Sequence, residues 1–132
     1  MADVMKLKVI TPDKQFYEGD VSMVELTTTE GDIGIYPEHI PLTAVVAPGV
    51  LKIHEGSEVK EAALLSGFIT IMPDIVTILA EVVEWPDEID FGRAQDAKSR
   101  AEKRLAAQRG DIDVLRAELA LKRALVRLEL KH

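Results

Sequence analysis

Trp85-Pro86-Asp87-Glu88-Ile89-Asp90-Phe91-Gly92-Arg93-Ala94 is the stretch at which this chain changes character. Proline disfavours helix at Trp85, and Asp87 or Glu88 can cap or electrostatically favour a helix that follows. Ahead of it lie residues typical of strands, and beyond it residues typical of helices.

Upstream, six segments are short and rich in β-branched residues: Val4 to Ile10, Met23 to Thr27, Val50 to His54, Val59 to Leu64, Phe68 to Ile71 and Val76 to Glu81. Turn residues separate them, at Thr11-Pro12-Asp13, Glu30-Gly31-Asp32, Ala47-Pro48-Gly49, Glu55-Gly56-Ser57 and Met72-Pro73-Asp74. Many short strands at this spacing predict an antiparallel β-sandwich or flattened barrel packed face to face.

Downstream, Ile89 to Gln108 and Asp111 or Ile112 to Leu130 are built mostly of good helix formers such as Ala, Leu, Arg, Lys and Glu. Between them Gly110 suits the position just past a helix end and Asp111 suits an N-cap. So short a connection predicts antiparallel neighbours. The expected fold is therefore β plus α: a sandwich domain over residues 1–86, then a C-terminal antiparallel αα-hairpin over residues 87–132.

The hairpin carries an internal repeat. Ile89, Asp90, Arg93, Ala94, Ala97, Arg100, Ala101, Arg104 and Leu105 recur 23 residues later as Ile112, Asp113, Arg116, Ala117, Ala120, Arg123, Ala124, Arg127 and Leu128. At about 100° per residue, Arg93, Ala97, Arg100 and Arg104 share one face, as do Arg116, Ala120, Arg123 and Arg127. Each helix therefore carries an arginine stripe bordered by alanine. The second helix also has two apolar edges, Leu115, Leu119, Val126 and Leu130 on one side and Leu121, Leu125 and Leu128 on the other. A two-helix hairpin cannot bury both, so some of this surface must meet the sandwich or another protein.

Charge divides the chain at the same place. Residues 1–86 hold 5 Lys and no Arg against 14 acidic residues, a net −9, whereas residues 87–132 hold 7 Arg and 4 Lys against 9 acidic residues, a net +2. An acidic first part argues against general nucleic-acid binding, which needs a basic surface. The second part can attract an anion or an acidic partner. Hydrophobic residues make up 47% of the chain, enough for a core, and there is no cysteine to form a disulfide or thiolate metal site. Met1 to Lys8 lacks signal-peptide character and no run of about 18 apolar residues occurs, so the expectation is an intracellular chain not itself inserted in membrane.

Catalytic signatures are missing. There is no Walker loop, GxGxxG, HExxH or GxSxG, and His39, His54 and His132 lack the spacing of metal ligands or a general base. No Ser, Thr or Lys comes with a base and orienting partner. Neither a catalytic nor a metal site is expected, His39 reading as a loop residue and His54 and His132 as surface ones. The arginine stripes admit two readings: a solvated face with i,i+4 ion pairs, or a polyphosphate cradle in which guanidinium forks from two helices converge. Asp90 likewise can accept from a ribose hydroxyl or an adenine amino group, or serve only as a first-turn carboxylate. For Asp113 the first-turn role is preferred.

Taken together, Val9-Ile10-Thr11-Pro12-Asp13, the segment Gly31-Asp32-Ile33-Gly34-Ile35-Tyr36-Pro37-Glu38-His39-Ile40-Pro41-Leu42, Ser66-Gly67-Phe68 and Ala117 to Ala124 resemble the epsilon subunit of bacterial F-type ATP synthase along essentially the whole chain. Ile89, Asp90, Arg93 and Ala94 fall on that family's I/L-D-x-x-R-A nucleotide motif, and the chain looks most like the ATP-binding epsilon subunits of thermophilic bacilli.

The resemblance implies a non-catalytic regulatory subunit in the central stalk of a rotary enzyme coupled to proton transport. Its sandwich would dock on the gamma subunit and the c-ring, at the cytoplasmic face of the cell membrane, with His39 and Pro41 as candidate gamma contacts. Its hairpin would permit ATP hydrolysis when folded on the sandwich, and inhibit it when extended into the alpha/beta catalytic head. ATP, as a regulatory ligand with or without Mg²⁺, would favour the folded state, its site lined by Glu84, Ile89, Asp90, Arg93, Ala94, Arg100, Arg123 and Arg127. The alternative is a purely structural rotor adaptor with no working nucleotide site.

Overall fold

A computed structural model describes residues 3–107 and 111–131, the side chains of 111–113 excepted. Eight strands come first among them: β1 Met5–Ile10, β2 Gln15–Val21, β3 Met23–Thr28, β4 Gly31–Ile35, β5 Leu42–Val46, β6 Gly49–Glu55, β7 Glu58–Ile71 and β8 Ile75–Glu84. Two helices follow, α1 Phe91–Ala107 and α2 Asp111–Glu129. The turn read at Arg109-Gly110 lies outside the described residues.

Hydrogen bonding runs continuously along β2-β1-β8-β7-β5-β3-β4, and β6 bridges β3 and β7. That linkage makes the sandwich a flattened barrel. Its pairings are antiparallel with one exception: β1 lies parallel to β8, with Leu7 opposite Val76 and Val9 opposite Ile78. The parallel pair is possible because the chain between them crosses the whole barrel, a connection far longer than any hairpin. Strand alternation fills the interior, with Leu7, Val9, Val24, Leu51, Ile53, Ile69, Ile71 and Ile78 fully buried.

Two of the expected strands, at Val59–Leu64 and Phe68–Ile71, are parts of the single long strand β7. Its first half pairs β6 and its second half pairs β5. Strands β2, β4 and β5 were not expected. In β2 the period of two is broken, because Val9 lies opposite Tyr17 and Ile10 opposite Gln15, so that Phe16 is an extra residue. The bulge turns both Phe16 and Tyr17 inward. Strand β4 begins at a residue read as turn; Gly31, at φ 118°, closes the turn, and the Thr28 hydroxyl donates to Gly31 O at 2.9 Å.

The two inward aromatics of β2 receive Trp85. Its ring stacks on Phe16 at 4.3 Å between centroids and meets Tyr17 edge-on at 6.4 Å. Pro86–Glu88 then forms a 3-10 turn, in which Glu88 Oε1 accepts from the Trp85 N–H at 2.9 Å. Ile89 is extended, at φ −83° and ψ 129°, so α1 starts at Phe91 rather than at Ile89. Gly92 is consequently a first-turn residue.

Alanines explain how the hairpin closes. Ala94 and Ala101 of α1 and Ala117 and Ala124 of α2 are all at most 3% exposed, and small side chains at seven-residue spacing let the two helices pack closely. The hairpin meets the sandwich through a second, smaller core. Ile89, Val126 and Leu130 cover Ala63 and Leu65, the outward residues of β7. Of the two apolar edges of α2, Val126 and Leu130 are buried and Leu121 and Leu128 half-buried, whereas Leu115, Leu119 and Leu125 stay exposed.

Candidate functional site

Where β8, the Trp85–Asp90 junction and the two helices meet, a cavity of about 490 Å³ opens, lined by Glu84, Glu88, Asp90, Arg93, Ala94, Ala97, Arg100 and Arg127. Six of the eight residues assigned to the nucleotide come together here. Glu88 and Ala97 join them. Ala97 lay on the arginine stripe, and Glu88 carries a signal too: three residues after Trp85, it is placed to close a capping interaction.

Each wall has a local cause. Asp90 is the N-cap of α1: its carbonyl accepts from the Ala94 N–H at 3.0 Å, and its Oδ1 from the Arg93 N–H at 3.0 Å. Asp90 thus stands just ahead of the helix as its cap rather than in its first turn, and Arg93, capped by it, lines the cavity. From the other side, Glu84 receives two hydrogen bonds from Arg127, Nε to Oε1 at 2.7 Å and Nη2 to Oε2 at 3.2 Å. Such a fork is the strong geometry for a guanidinium and a carboxylate. Lys14 reaches Glu88 at 3.6 Å and ties the β1–β2 turn to the rim.

Three carboxylates and three guanidinium groups therefore face one another across the cavity. Among the described residues, Arg127 is the one arginine in an ion pair. Arg93 and Arg100 are exposed and remain available to an anion.

The other two assigned residues lie elsewhere. Ile89 is 8% exposed and belongs to the small core beneath the hairpin, where it sets the path of the junction rather than touching the cavity. Arg123 lines a separate crevice of about 690 Å³ between α2 and the sandwich. Its Nε is buried without a hydrogen-bond partner among the described residues, an arrangement that costs about 1–3 kcal/mol. Arg104 and Arg116, the remaining stripe residues, are exposed.

Of the histidines, His54 is more than a surface residue: its Nε2 lies 2.8 Å from Glu25 Oε2. His39 holds Ile40 O through Nδ1 at 2.7 Å, inside the loop between β4 and β5. That loop is pinned where the Glu38 N–H donates to Pro73 O at 2.8 Å, with Glu38 at φ 65°. Around His39 and Pro41 the loop exposes Tyr36 and Ile40, the latter at 79%.

This architecture corresponds to a known class of chain. Residues 4–86 match the family described as ATP synthase, Delta/Epsilon chain, beta-sandwich domain, and residues 87–131 that described as ATP synthase, Delta/Epsilon chain, long alpha-helix domain. The chain is 50% identical over 126 residues to the ATP synthase epsilon chain of Halalkalibacterium halodurans, covering 95% of each. Its identity to that of Caldanaerobacter subterraneus subsp. tengcongensis is 47% over 131 residues, 98% of this chain and 95% of the relative. The chain belongs to the ATP synthase epsilon chain family, as its resemblance implied. The fold also recurs in a chain of the Euglena gracilis mitochondrial ATP synthase seen by cryo-EM, with a TM-score of 0.80 at 21% identity over 92% of this chain and 78% of that one.

Proposed function

We propose that this chain is a non-catalytic regulatory subunit of the central stalk, and that ATP bound in the Glu84–Arg127 cavity holds its hairpin against the sandwich. The observation that carries the reading is the composition of that cavity, which draws one wall each from β8, the junction, α1 and α2. A ligand touching all four binds the closed arrangement and not an opened one, and stabilises the closed state by RT ln(1 + [L]/Kd). A volume of about 490 Å³ falls within the range of small-ligand sites, about 300–1,000 Å³.

Residue roles follow from the geometry. Arg93 and Arg100 meet phosphate oxygens, and Arg127 does so while keeping its hold on Glu84 through one arm of the fork. Asp90 Oδ1 is occupied by the helix cap, which leaves Oδ2 as the acceptor for a nucleotide hydroxyl or amino group. Ala94 and Ala97 form a floor without side-chain bulk. Ile89 and Arg123 act on the site indirectly, through the small core and the neighbouring crevice. Bound Mg²⁺ would offset phosphate charge that three arginines facing three carboxylates leave uncompensated.

In this reading the sandwich docks on gamma and the c-ring, with the His39–Pro41 loop as a contact, and the chain sits peripherally at the cytoplasmic face of the membrane. Among the described residues no helix is long and apolar enough to cross it. Opened, the hairpin frees Val126 and Leu130 to join the exposed Leu115, Leu119 and Leu125 in a surface that meets the alpha/beta head and inhibits hydrolysis.

Calorimetric titration of the full chain with ATP, alone and with Mg²⁺, tests the site. Binding weakened at least tenfold by Arg93→Ala and by Arg100→Ala supports it, and equal binding by all three chains contradicts it. A second reading, a structural rotor adaptor without a nucleotide site, draws on the Glu84–Arg127 pair and the Asp90 cap, which already satisfy part of the cavity's charge. Failure to bind ATP with assembly intact favours it.

A further inference from the structure

Thr11-Pro12-Asp13 carries part of the family resemblance, yet nothing in the function proposed above uses it. With Lys14 it forms the turn between β1 and β2, and three hydrogen bonds close that turn. Lys14 O accepts from the Thr11 N–H at 2.8 Å and from the Thr11 hydroxyl at 2.9 Å, and the same hydroxyl accepts from the Lys14 N–H at 3.0 Å. The backbone of Lys14 is therefore fixed. From it the ammonium reaches Glu88 Oε2 at 3.6 Å, and among the described residues Glu88 is the one carboxylate that Lys14 pairs with.

Glu88 lines the nucleotide cavity, where each carboxylate has a counterpart of its own. Glu84 is answered by the Arg127 fork, and Asp90 by the positive end of α1, whose Arg93 N–H it accepts. Glu88 Oε1 takes the Trp85 N–H at 2.9 Å, a neutral donor that leaves the carboxylate charge standing. Among the described residues that charge is met from outside the cavity, by Lys14. With all three carboxylates answered, Arg93 and Arg100 keep their charge for a ligand. With Glu88 unanswered and free to swing inward, a carboxylate faces the polyphosphate.

We propose, on the reading of this cavity as an ATP site, that Lys14 is a positioning residue for the nucleotide, which makes the β1–β2 turn a fifth element of the site. Its ammonium holds the Glu88 carboxylate at the rim and cancels its repulsion of phosphate oxygens. That repulsion grows with the charge of the ligand, so Lys14 favours a nucleoside triphosphate over a diphosphate. The effect is modest, because both side chains are partly exposed and salt screens them.

Calorimetric titration of the full chain with ATP and with ADP, at physiological and at high ionic strength, tests this. Lys14→Gln should weaken ATP binding about threefold and ADP binding less, and high salt should shrink the difference. Lys14→Arg, which keeps the charge, should bind as wild type does. Glu88→Gln retains an acceptor for the Trp85 N–H and sheds the charge, so it should bind ATP more tightly. Adding Lys14→Gln to that variant should cost less than it does alone, because no carboxylate is left to release. Equal ATP binding by wild type and Lys14→Gln overturns the proposal, as does the same loss for ATP and ADP, or the same loss with and without Glu88. A wild type that binds no ATP overturns the nucleotide reading and the role of Lys14 together. A wild type that binds ATP no better than Lys14→Gln does removes Lys14 alone and leaves the nucleotide reading in place.

Discussion

Glu84 grips Arg127 through two hydrogen bonds, at 2.7 and 3.2 Å, so that the end of the last strand is tied directly to the last turn of the second helix. Each side chain is 28% exposed, which places the pair between a weak surface bridge and a strong buried one. Glu84→Gln and Arg127→Gln should each weaken hairpin docking by about 1–2 kcal/mol, and the double variant by less than the sum. Thermal unfolding of the four chains measures this, and strict additivity would mean that the contact does not couple the two elements.

Trp85 fixes where the sandwich stops and the junction begins. Trp85→Ala removes the stack on Phe16 and the edge contact with Tyr17, and should cost about 2–4 kcal/mol. Denaturant unfolding should show the whole loss in the sandwich transition. Unchanged sandwich stability would contradict the packing.

Gly92 is the cheapest place to strengthen α1. It lies in the first turn, and a Cβ there meets nothing closer than Asp90 Oδ1 at 3.4 Å. Gly92→Ala should therefore stabilise the helix by about 0.5–1 kcal/mol. Slower amide exchange between Arg93 and Ala97 is the expected readout, and faster exchange would show that the turn needs glycine.

Tyr17 sets an alkaline limit. Burial, and then its hydrogen bond to Glu55, push its hydroxyl well above the ordinary value of 10.0. Above that ordinary value the unfolded chain loses a proton that the folded chain keeps, so this contribution to stability is full below it and declines as pH rises toward the folded value. The melting temperature should fall through this range, and Tyr17→Phe should flatten the fall. An identical alkaline limb in the two chains would count against the burial.

Glu55 works at the opposite end of the scale. Its hydrogen bond from Tyr17, and then that from Lys60, hold its carboxyl below the ordinary value of 4.5. Its contribution is present above the unfolded value and lost as pH falls through the folded one, so Glu55→Gln should flatten the acid limb of the same profile.

The boundary between strands and helices was legible because proline, charge and helix propensity all change within a few residues of Trp85. Strand β2 was not, since its bulge at Phe16 hides the alternation that marks a strand, and β4 owes its place to β3 more than to its own glycines. In the site, helical periodicity grouped Arg93, Ala97 and Arg100 correctly. It could not separate Arg123 from Arg127, although they lie one turn apart on one helix, because the sandwich decides which cavity each enters. Nor could it place Ile89, which the 3-10 turn before it directs into the small core.

The central claim is that ATP closes the hairpin on the sandwich. Amide hydrogen exchange over α2, from Ala117 to Leu130, with and without ATP in wild type and Arg93→Ala, measures it directly. Closure by ATP predicts that the nucleotide slows exchange across α2 in wild type and leaves Arg93→Ala unchanged. Exchange in α2 that is indifferent to saturating ATP in wild type would contradict it.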